Sequence, residues 1–374
     1  MTTTVPPVQP IAITPLRYDP TFEIEEEGEA DTKAGLVETL TSISTTTFEH
    51  SGHATRSVHA KSHGLLTGQL TVVDNLSPAY AQGLFAGAGS WPTVMRLSTT
   101  PGDVLDDKVS TPRGFGLKIV GVPGARVEGS EGDVTQDFVL VNGPAFLAPS
   151  AKKFLGSLKP LAATTDRVPN LKRAFPAVLR GTEKVIEAVG GESATLKAVG
   201  GHPETNPLGE TYFSQAPMLY GDYMAKVSLA PVAPELTALT DAPVDLSGTP
   251  DGLRAAVVAH FATHGGEWAL RVQLCTDLNT MPIEDASVEW PEEASPWVTV
   301  AHLRAAPQAG WSESLSRAID DGMQFNPWHA LAAHRPIGSI MRVRKAAYAM
   351  SKAFRAARNG VAMTEPTTLD GLAS

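Results

Sequence analysis

The chain has 374 residues, 42% of them hydrophobic and 19% charged, with a formal net charge of −10. That profile suits a globular protein with a large core and excludes a general nucleic-acid binder, whose phosphate affinity rests on clustered Lys and Arg. A single cysteine, Cys275, excludes an internal disulfide and a thiolate metal site, and no run of 18 apolar residues offers a membrane span, so a cytoplasmic protein is expected.

Residues 1–20 are rich in Pro and Thr, carry no basic residue before Arg17, and have their apolar positions broken by Pro7, Pro10 and Pro15. This pattern predicts an extended arm and not a signal peptide. Residues 23–44 carry acidic side chains into a helical pattern. From Gly64 onward come short β-branched runs, GQLTVV, TVMRLST, GFGLKIVGV and TQDFVLV, separated by Gly, Pro or Asp, which predict antiparallel strands. AKKFLGSLKPLAA and NLKRAFPAVLRGTEKVIEAVGG then predict helices within residues 150–200, the second ending at a Gly pair. Strands return in MAKVSLAPV, GEWALRVQLCTD and PWVTVAHLRA. Residues 312–358 are expected to be mostly helical, punctuated by FNPWHALAAHRPIGS. The order of strands, helices, strands and helices argues for an α+β fold on an antiparallel sheet or barrel. No linker is evident, so residues 21–374 read as one domain.

Four stretches carry candidate chemistry. In RVRKAAYAMSKAFR, Arg344, Tyr348 and Arg355 fall on one face of an Ala-rich helix. Ionising a phenol at neutral pH means recovering roughly 4 kcal/mol, at about 1.4 per pKa unit. A guanidinium about 4 Å away supplies roughly that much at an effective dielectric near 20. A phenolate is an uncommon iron ligand, found in haem proteins. In TRSVHAKSHG, His59 is a candidate general base three residues after Arg56. In VMRLSTTPGD, Arg96 and Ser98 share a strand face, so one can meet an anion while the other bonds His59. Arg113-Gly114-Phe115-Gly116 leaves room at its glycines for a flat ligand to approach the backbone.

Together these residues resemble the catalase superfamily in its short form. The distal pattern R-x-V-H-A-K-x-x-G-x-x-x-G is met by Arg56, Val58, His59, Ala60, Lys61, Gly64 and Gly68. R-[FL]-S-T is met by Arg96 to Thr99, and R-G-F-x-x-K by Arg113, Gly114, Phe115 and Lys118. The proximal R-x-x-x-Y with an arginine seven residues on is met by Arg344, Tyr348 and Arg355. The resemblance spans roughly residues 50–358 and implies an eight-stranded antiparallel β-barrel, peripheral helices and haem b held between barrel and proximal helix. It implies His59 as distal base, Ser98 as its orienter, Tyr348 as iron ligand and Arg344 as partner of the phenolate. Arg56, Arg96 and Arg355 would hold propionates, with Val58, Gly114, Phe115 and Phe138 lining the cofactor. The implied function is a haem-dependent hydroperoxide-reducing enzyme, a peroxidase with catalase-like activity, acting on a small peroxide and an organic donor as a homo-oligomer, with neither nucleic acid nor membrane as partner.

The chain departs from the family pattern at several positions. The family's distal asparagine lies in an N-x-T-P-x-F context, and an ungapped comparison puts Val134, Thr135 or Gln136 there, with Asn142 several residues downstream; Gln136 and Thr135 are the expected substitutes. Met350 stands where the family has an aspartate. Strict alternation would put Arg56 and His59 on opposite faces, so the backbone between them must be irregular. Two other readings are a fatty-acid hydroperoxide isomerase or lyase, whose known forms carry Thr where this chain has Val58, and a haem-binding protein without turnover. Competing constellations are weaker. His260 and His264 have the spacing of a zinc helix, but Phe261 stands where the metalloprotease glutamate would be. His329 and His334 flank a turn, Tyr220 and Tyr223 read as turn and packing residues, and Cys275 as an inert core thiol.

Overall fold

The computed structural model describes residues 13–109, 111–163 and 204–372. The helix expected in NLKRAFPAVLRGTEKVIEAVGG and the first twelve residues of the arm lie outside these. Among the described residues nine strands are present: β1 Ser62–Val72, β2 Ser90–Thr99, β3 Arg113–Val120, β4 Thr135–Val141, β5 Tyr212–Phe213, β6 Met218–Tyr220, β7 Tyr223–Pro231, β8 Gly266–Leu274 and β9 Val298–Ala305. They pair in the order β5-β4-β3-β2-β1-β9-β8-β7-β6, and a further pairing of β5 with β7 closes eight of them into an antiparallel barrel. Closure removes the exposed edges that an open sheet of this size would carry. The short β5 and β6 have too few residues to show a period in the sequence.

Side-chain alternation then decides what faces the barrel interior. Leu66, Leu70, Met95, Leu97, Phe115, Leu117, Phe138, Leu140, Trp268 and Leu303 fill the core. The alternate residues, among them Arg96, Ser98, Gly114, Gly116, Lys118 and Asp137, therefore point outward. This corrects the expectation for Phe115 and Phe138, which the resemblance set against the cofactor. Phe115 is buried inside the barrel, its ring 5.3 Å from Tyr212 and 5.9 Å from Trp268, while Phe138 packs in the same core. Both lie on the face opposite Ser98 and Gly114, and truncating either would cost about 3–5 kcal/mol of stability.

Four longer helices of the described chain pack outside: α1 Glu29–Ser51, α2 Ala151–Ala163, α3 Gly252–Phe261 and α4 Ser339–Asn359. On α4, Ile340, Val343 and Ala347 bury against Leu36, Leu40 and Ile43 of α1, with Met350 packed alongside. That seam fixes the rotation of α4 and leaves Arg344, Tyr348 and Arg355 to another flank. The helix ends at Gly360, whose φ of 66° is the left-handed conformation of a C-terminal stop. Residues 312–338 are less helical than expected. A π-helical turn spans Ser316–Asp321, and the chain beyond it is irregular, since Pro327 and Pro336 withhold amide donors and the Asn326 side chain accepts from the Trp328 amide at 3.1 Å.

Both ends of the described chain are tied down. Leu16 and Tyr18 donate backbone bonds to Cys275 and Asp222, and Arg342 binds Glu29 and Glu284 through bonds of 2.7–3.0 Å. Beyond α4, Leu369 and Leu372 return to pack outside the barrel with Leu65, Val94 and Phe325. Among the described residues no helix is long and apolar enough to cross a membrane.

Candidate functional site

The outer face of β2 and β3 carries the first half of the site. The segment before β1 is irregular, as the spacing of Arg56 and His59 required, and His59 itself has φ 57°. Its amide donates to Thr100 O at 2.7 Å and that of Ala60 to Pro101 O at 3.0 Å. These bonds turn the imidazole onto the sheet, where Nδ1 lies 3.1 Å from Ser98 Oγ. Gly114 makes the approach possible, because a Cβ there would stand 2.6 Å from the ring and 3.0 Å from Ser98 Oγ. The glycine of the next outward position serves Phe325 in the same way, with 2.8 Å to its ring. Burial, and then the guanidiniums of Arg96, Arg344 and Arg56, push the His59 pKa down to about 3. The imidazole is therefore neutral across the ordinary pH range. Val58 beside it presents an apolar side chain that is 40% exposed.

The second half comes from α4. Arg344 Nη2 donates to Tyr348 Oη at 2.8 Å, and the guanidinium carbon lies 5.4 Å from the ring centroid. Gln324 fixes the helix here by donating to Tyr348 O at 2.6 Å. Arg344 is near enough to lower the proton affinity of His59, which puts the phenol pair within electrostatic reach of the imidazole pair.

Arg56, Arg96 and Arg355 converge as expected, but on a residue the sequence did not single out. Asp320, in the π-helical turn, accepts from Arg96 Nε at 2.6 Å, Arg56 Nη1 at 3.3 Å, Ser62 Oγ at 2.7 Å and Ser316 Oγ at 2.9 Å. Its carbonyl accepts from Arg56 at 3.0 Å and Arg355 at 2.6 Å. Burial alone would raise the Asp320 carboxyl, yet Arg96 and Arg56 outweigh it and hold the group at about 2. With Asp321 adding a more distant charge to Arg56 and Arg355, three guanidiniums face two carboxylates. Burial and the neighbouring Arg96 bring Arg355 down to about 10, and its buried Nε has no hydrogen-bond partner. Asp321 leads away, pairing with His53 at 2.9 Å. The missed signal was the need of three arginines for a counter-charge.

Gln136 and Thr135 are not brought to His59. The β3–β4 register pairs Gly114 with Val141, but Ile119 with Gln136 and Val120 with Thr135. Five residues of strand, about 17 Å, separate Gln136 from the level of His59. Gln136 Oε1 accepts from the Leu331 amide at 2.9 Å, and Thr135 Oγ1 donates to Glu365 at 2.8 Å. The amide-bearing residue at the His59 end is Asn142. Its Oδ1 accepts from the Arg113 amide at 2.8 Å, and its Nδ2 donates to Glu210, which also takes Arg113. The spacing of Asn142, Pro144 and Phe146, N-x-P-x-F, was the signal that could have found it.

A second buried cluster lies four residues along β3. Lys118 Nζ reaches both Asp137 oxygens at 2.8 Å and also Glu365, while His329 Nδ1 lies 3.2 Å from Asp137 and 3.2 Å from Glu365. The carboxylates and imidazole converge as metal ligands would, but the ammonium already supplies the cation. Burial works against protonation of His329, and the two carboxylates overcome it and raise its pKa. Lys61 is likewise structural, binding Asp107 at 2.7 Å and Asp251 at 2.9 Å.

The competing constellations resolve as structural. His260 Nε2 lies 2.9 Å from Gly265 O, and the Leu84 amide donates to His334 Nε2 at 2.9 Å. Burial lowers His334 to about 4 and raises the Cys275 thiol to about 12. Tyr220 is a core residue whose hydroxyl donates to Tyr80 O at 2.7 Å, and Tyr223 is half-buried under Arg17.

The sequence matches no family model and no curated protein. The fold does have relatives. A fungal catalase superposes with TM-score 0.56 at 18% identity, covering 84% of this chain and 61% of that one. Catalase A from Saccharomyces cerevisiae gives 0.56 at 16% identity, over 93% and 68%, and a bacterial catalase gives 0.54 at 15%, over 86% and 60%. This chain thus spans about three fifths to two thirds of the length of those catalases. A closed eight-stranded antiparallel barrel with flanking helices, shared over most of the described chain, establishes a catalase-like fold.

Proposed function

We propose that the protein is a haem-dependent enzyme that reduces hydrogen peroxide or an organic hydroperoxide. The observation that carries this reading is a guanidinium-bonded phenol, Arg344–Tyr348 at 2.8 Å, within electrostatic reach of a serine-bonded imidazole, His59–Ser98 at 3.1 Å. The residues fit haem by charge and by apolar character. Three guanidiniums outnumber the carboxylates of Asp320 and Asp321, and the partnerless Nε of Arg355 points to an acceptor from outside the chain. Val58 leaves an exposed apolar side chain next to the imidazole. When bound, haem supplies the redox-active iron, with Tyr348 Oη as its protein ligand.

The chain's own residues then move a proton. Ser98 Oγ directs its hydrogen at Gly114 O, 3.5 Å away, so it accepts from Nδ1–H of His59. That assigns the proton to Nδ1 and leaves the Nε2 lone pair to receive one from peroxide. A pKa near 3 makes His59 a transient carrier that hands the proton on, to the oxygen that leaves as water, rather than storing it. Arg344 holds the Tyr348 hydroxyl oxygen through a charge-assisted hydrogen bond. Arg56, Arg96 and Arg355 hold carboxylates of the cofactor.

The amide of Asn142, the distal candidate by register, is engaged at both ends by Arg113 and Glu210. An amide so engaged steers a second peroxide poorly, which favours an organic donor as the reductant and a peroxidase balance over dismutation. Oxygen release and dye-donor oxidation, measured in parallel on the haem-loaded protein with hydrogen peroxide, test this. Donor oxidation at least as fast as oxygen release is expected, and oxygen release far faster would reverse the assignment.

A further inference from the structure

His59 sits in a left-handed backbone conformation that a β-carbon disfavours, and such a conformation persists only where its surroundings over-determine it. Two of its restraints come from the chain just after β2, the bonds of the His59 and Ala60 amides to Thr100 O and Pro101 O. The third comes from about 260 residues away. Arg96 donates through Nη2 to Ala60 O at 3.0 Å, next to His59, and through Nε to Asp320 at 2.6 Å. Ser62, two residues past Ala60, donates to the other Asp320 oxygen at 2.7 Å and accepts from Trp311 Nε1 at 3.0 Å. Asp320 is thus the point at which the two fastenings of the His59 segment meet. The π-helical turn presents both the side chain and the carbonyl of this residue to the arginines, a geometry common at functional sites.

We infer that Asp320 is a positioning residue for His59, acting through Arg96 and Ser62. The inference rests on the reading of His59 as the peroxide base. Asp320 itself does not face the reacting oxygens. Its carboxylate orients Arg96 so that one end pins the His59 segment, and its carbonyl orients Arg355 independently of the side-chain charge.

The test is Asp320→Asn, which keeps the carbonyl and so the Arg355 contact while removing the charge. Hydrogen–deuterium exchange of the full chain should show the His59 and Ala60 amides exchanging about tenfold faster or more, with helix α4 unchanged. In haem-loaded protein kcat for hydrogen peroxide should fall roughly tenfold or more with KM little changed, because a misplaced base costs rate and not binding. The absorption bands that report tyrosinate ligation should stay as in the parent, since the Arg344–Tyr348 pair does not touch Asp320. Unchanged exchange at His59 and Ala60, or an unchanged kcat, would overturn the inference. Should Asp320→Asn fail to fold, Ser62→Ala is read in its place: faster exchange at the same two amides supports the inference and unchanged exchange rejects it. If the parent protein takes up no haem, the exchange result still decides the role of Asp320, and only the functional reading falls.

Discussion

Two buried charge clusters sit on the outer face of neighbouring strands, one built on Arg96 of β2 and the other on Lys118 of β3, and they are built to opposite rules. Around Lys118 the partners close on one another, because Lys118 and His329, whose pKa is raised by the carboxylates, both bind Asp137 and Glu365. Around Asp320 the guanidiniums outnumber the carboxylates: Arg56 and Arg96 share its carboxylate, Arg355 takes only its carbonyl, and the more distant Asp321 is itself paired with His53. A buried cluster that is complete in itself holds strands and the C-terminal segment together. One that is left cationic has a use for an anion, and the difference separates architecture from site without any appeal to conservation.

Breaking the closed cluster should give the largest change. Lys118→Met strands two buried carboxylates and is expected to lower the unfolding free energy by about 3–5 kcal/mol in urea titrations of the cofactor-free protein. In the open cluster the loss should fall elsewhere. Arg355→Gln relieves repulsion with Arg96, so unfolding changes little, while haem retention against a competing apoprotein weakens by about 2–4 kcal/mol. Equal losses of stability in the two variants would erase the distinction between the clusters.

A smaller effect sharpens the comparison through pH. Burial would raise the Glu365 carboxyl, but His329 and Lys118 outweigh it and bring the group down to about 2. A depressed carboxylate contributes stability that is present above its unfolded value and lost as pH falls through the folded one. The raised His329 contributes below its unfolded value near 6.5, and that contribution is lost as pH rises through the folded one. Parent and Glu365→Gln should therefore differ most between about pH 4.5 and 6.5, by roughly 1–2 kcal/mol, and converge as the pH approaches 2. A constant difference from pH 6 to 2 would show that the carboxylate charge is not what fastens the C-terminal segment.

What was legible in the sequence follows from how far each contact reaches along the chain. Arg344 and Tyr348 are one helical turn apart, and the Ala-rich stretch around them declares the helix, so their bond could be expected from spacing. His59 and Ser98 were recoverable as a pair only because each lies in a recognisable motif. Asp320 and Glu365 lie in no such motif and reach partners more than 200 residues away, so nothing local marks them. Phe115 and Phe138 were misread because a motif names residues without their strand face, and period-two alternation put both inside. Gln136 and Thr135 were misread because an ungapped comparison cannot see hairpin register, which sets Val141, and not Gln136, level with Gly114.

The central claim is that Tyr348, bonded to Arg344, would hold the haem iron through its Oη. Haem content per chain, read from the pyridine haemochrome of parent and Tyr348→Phe protein purified side by side, tests it most directly. The expected result is near-stoichiometric haem in the parent and most of it lost in the variant, with the barrel still folded; equal haem in both would contradict the claim.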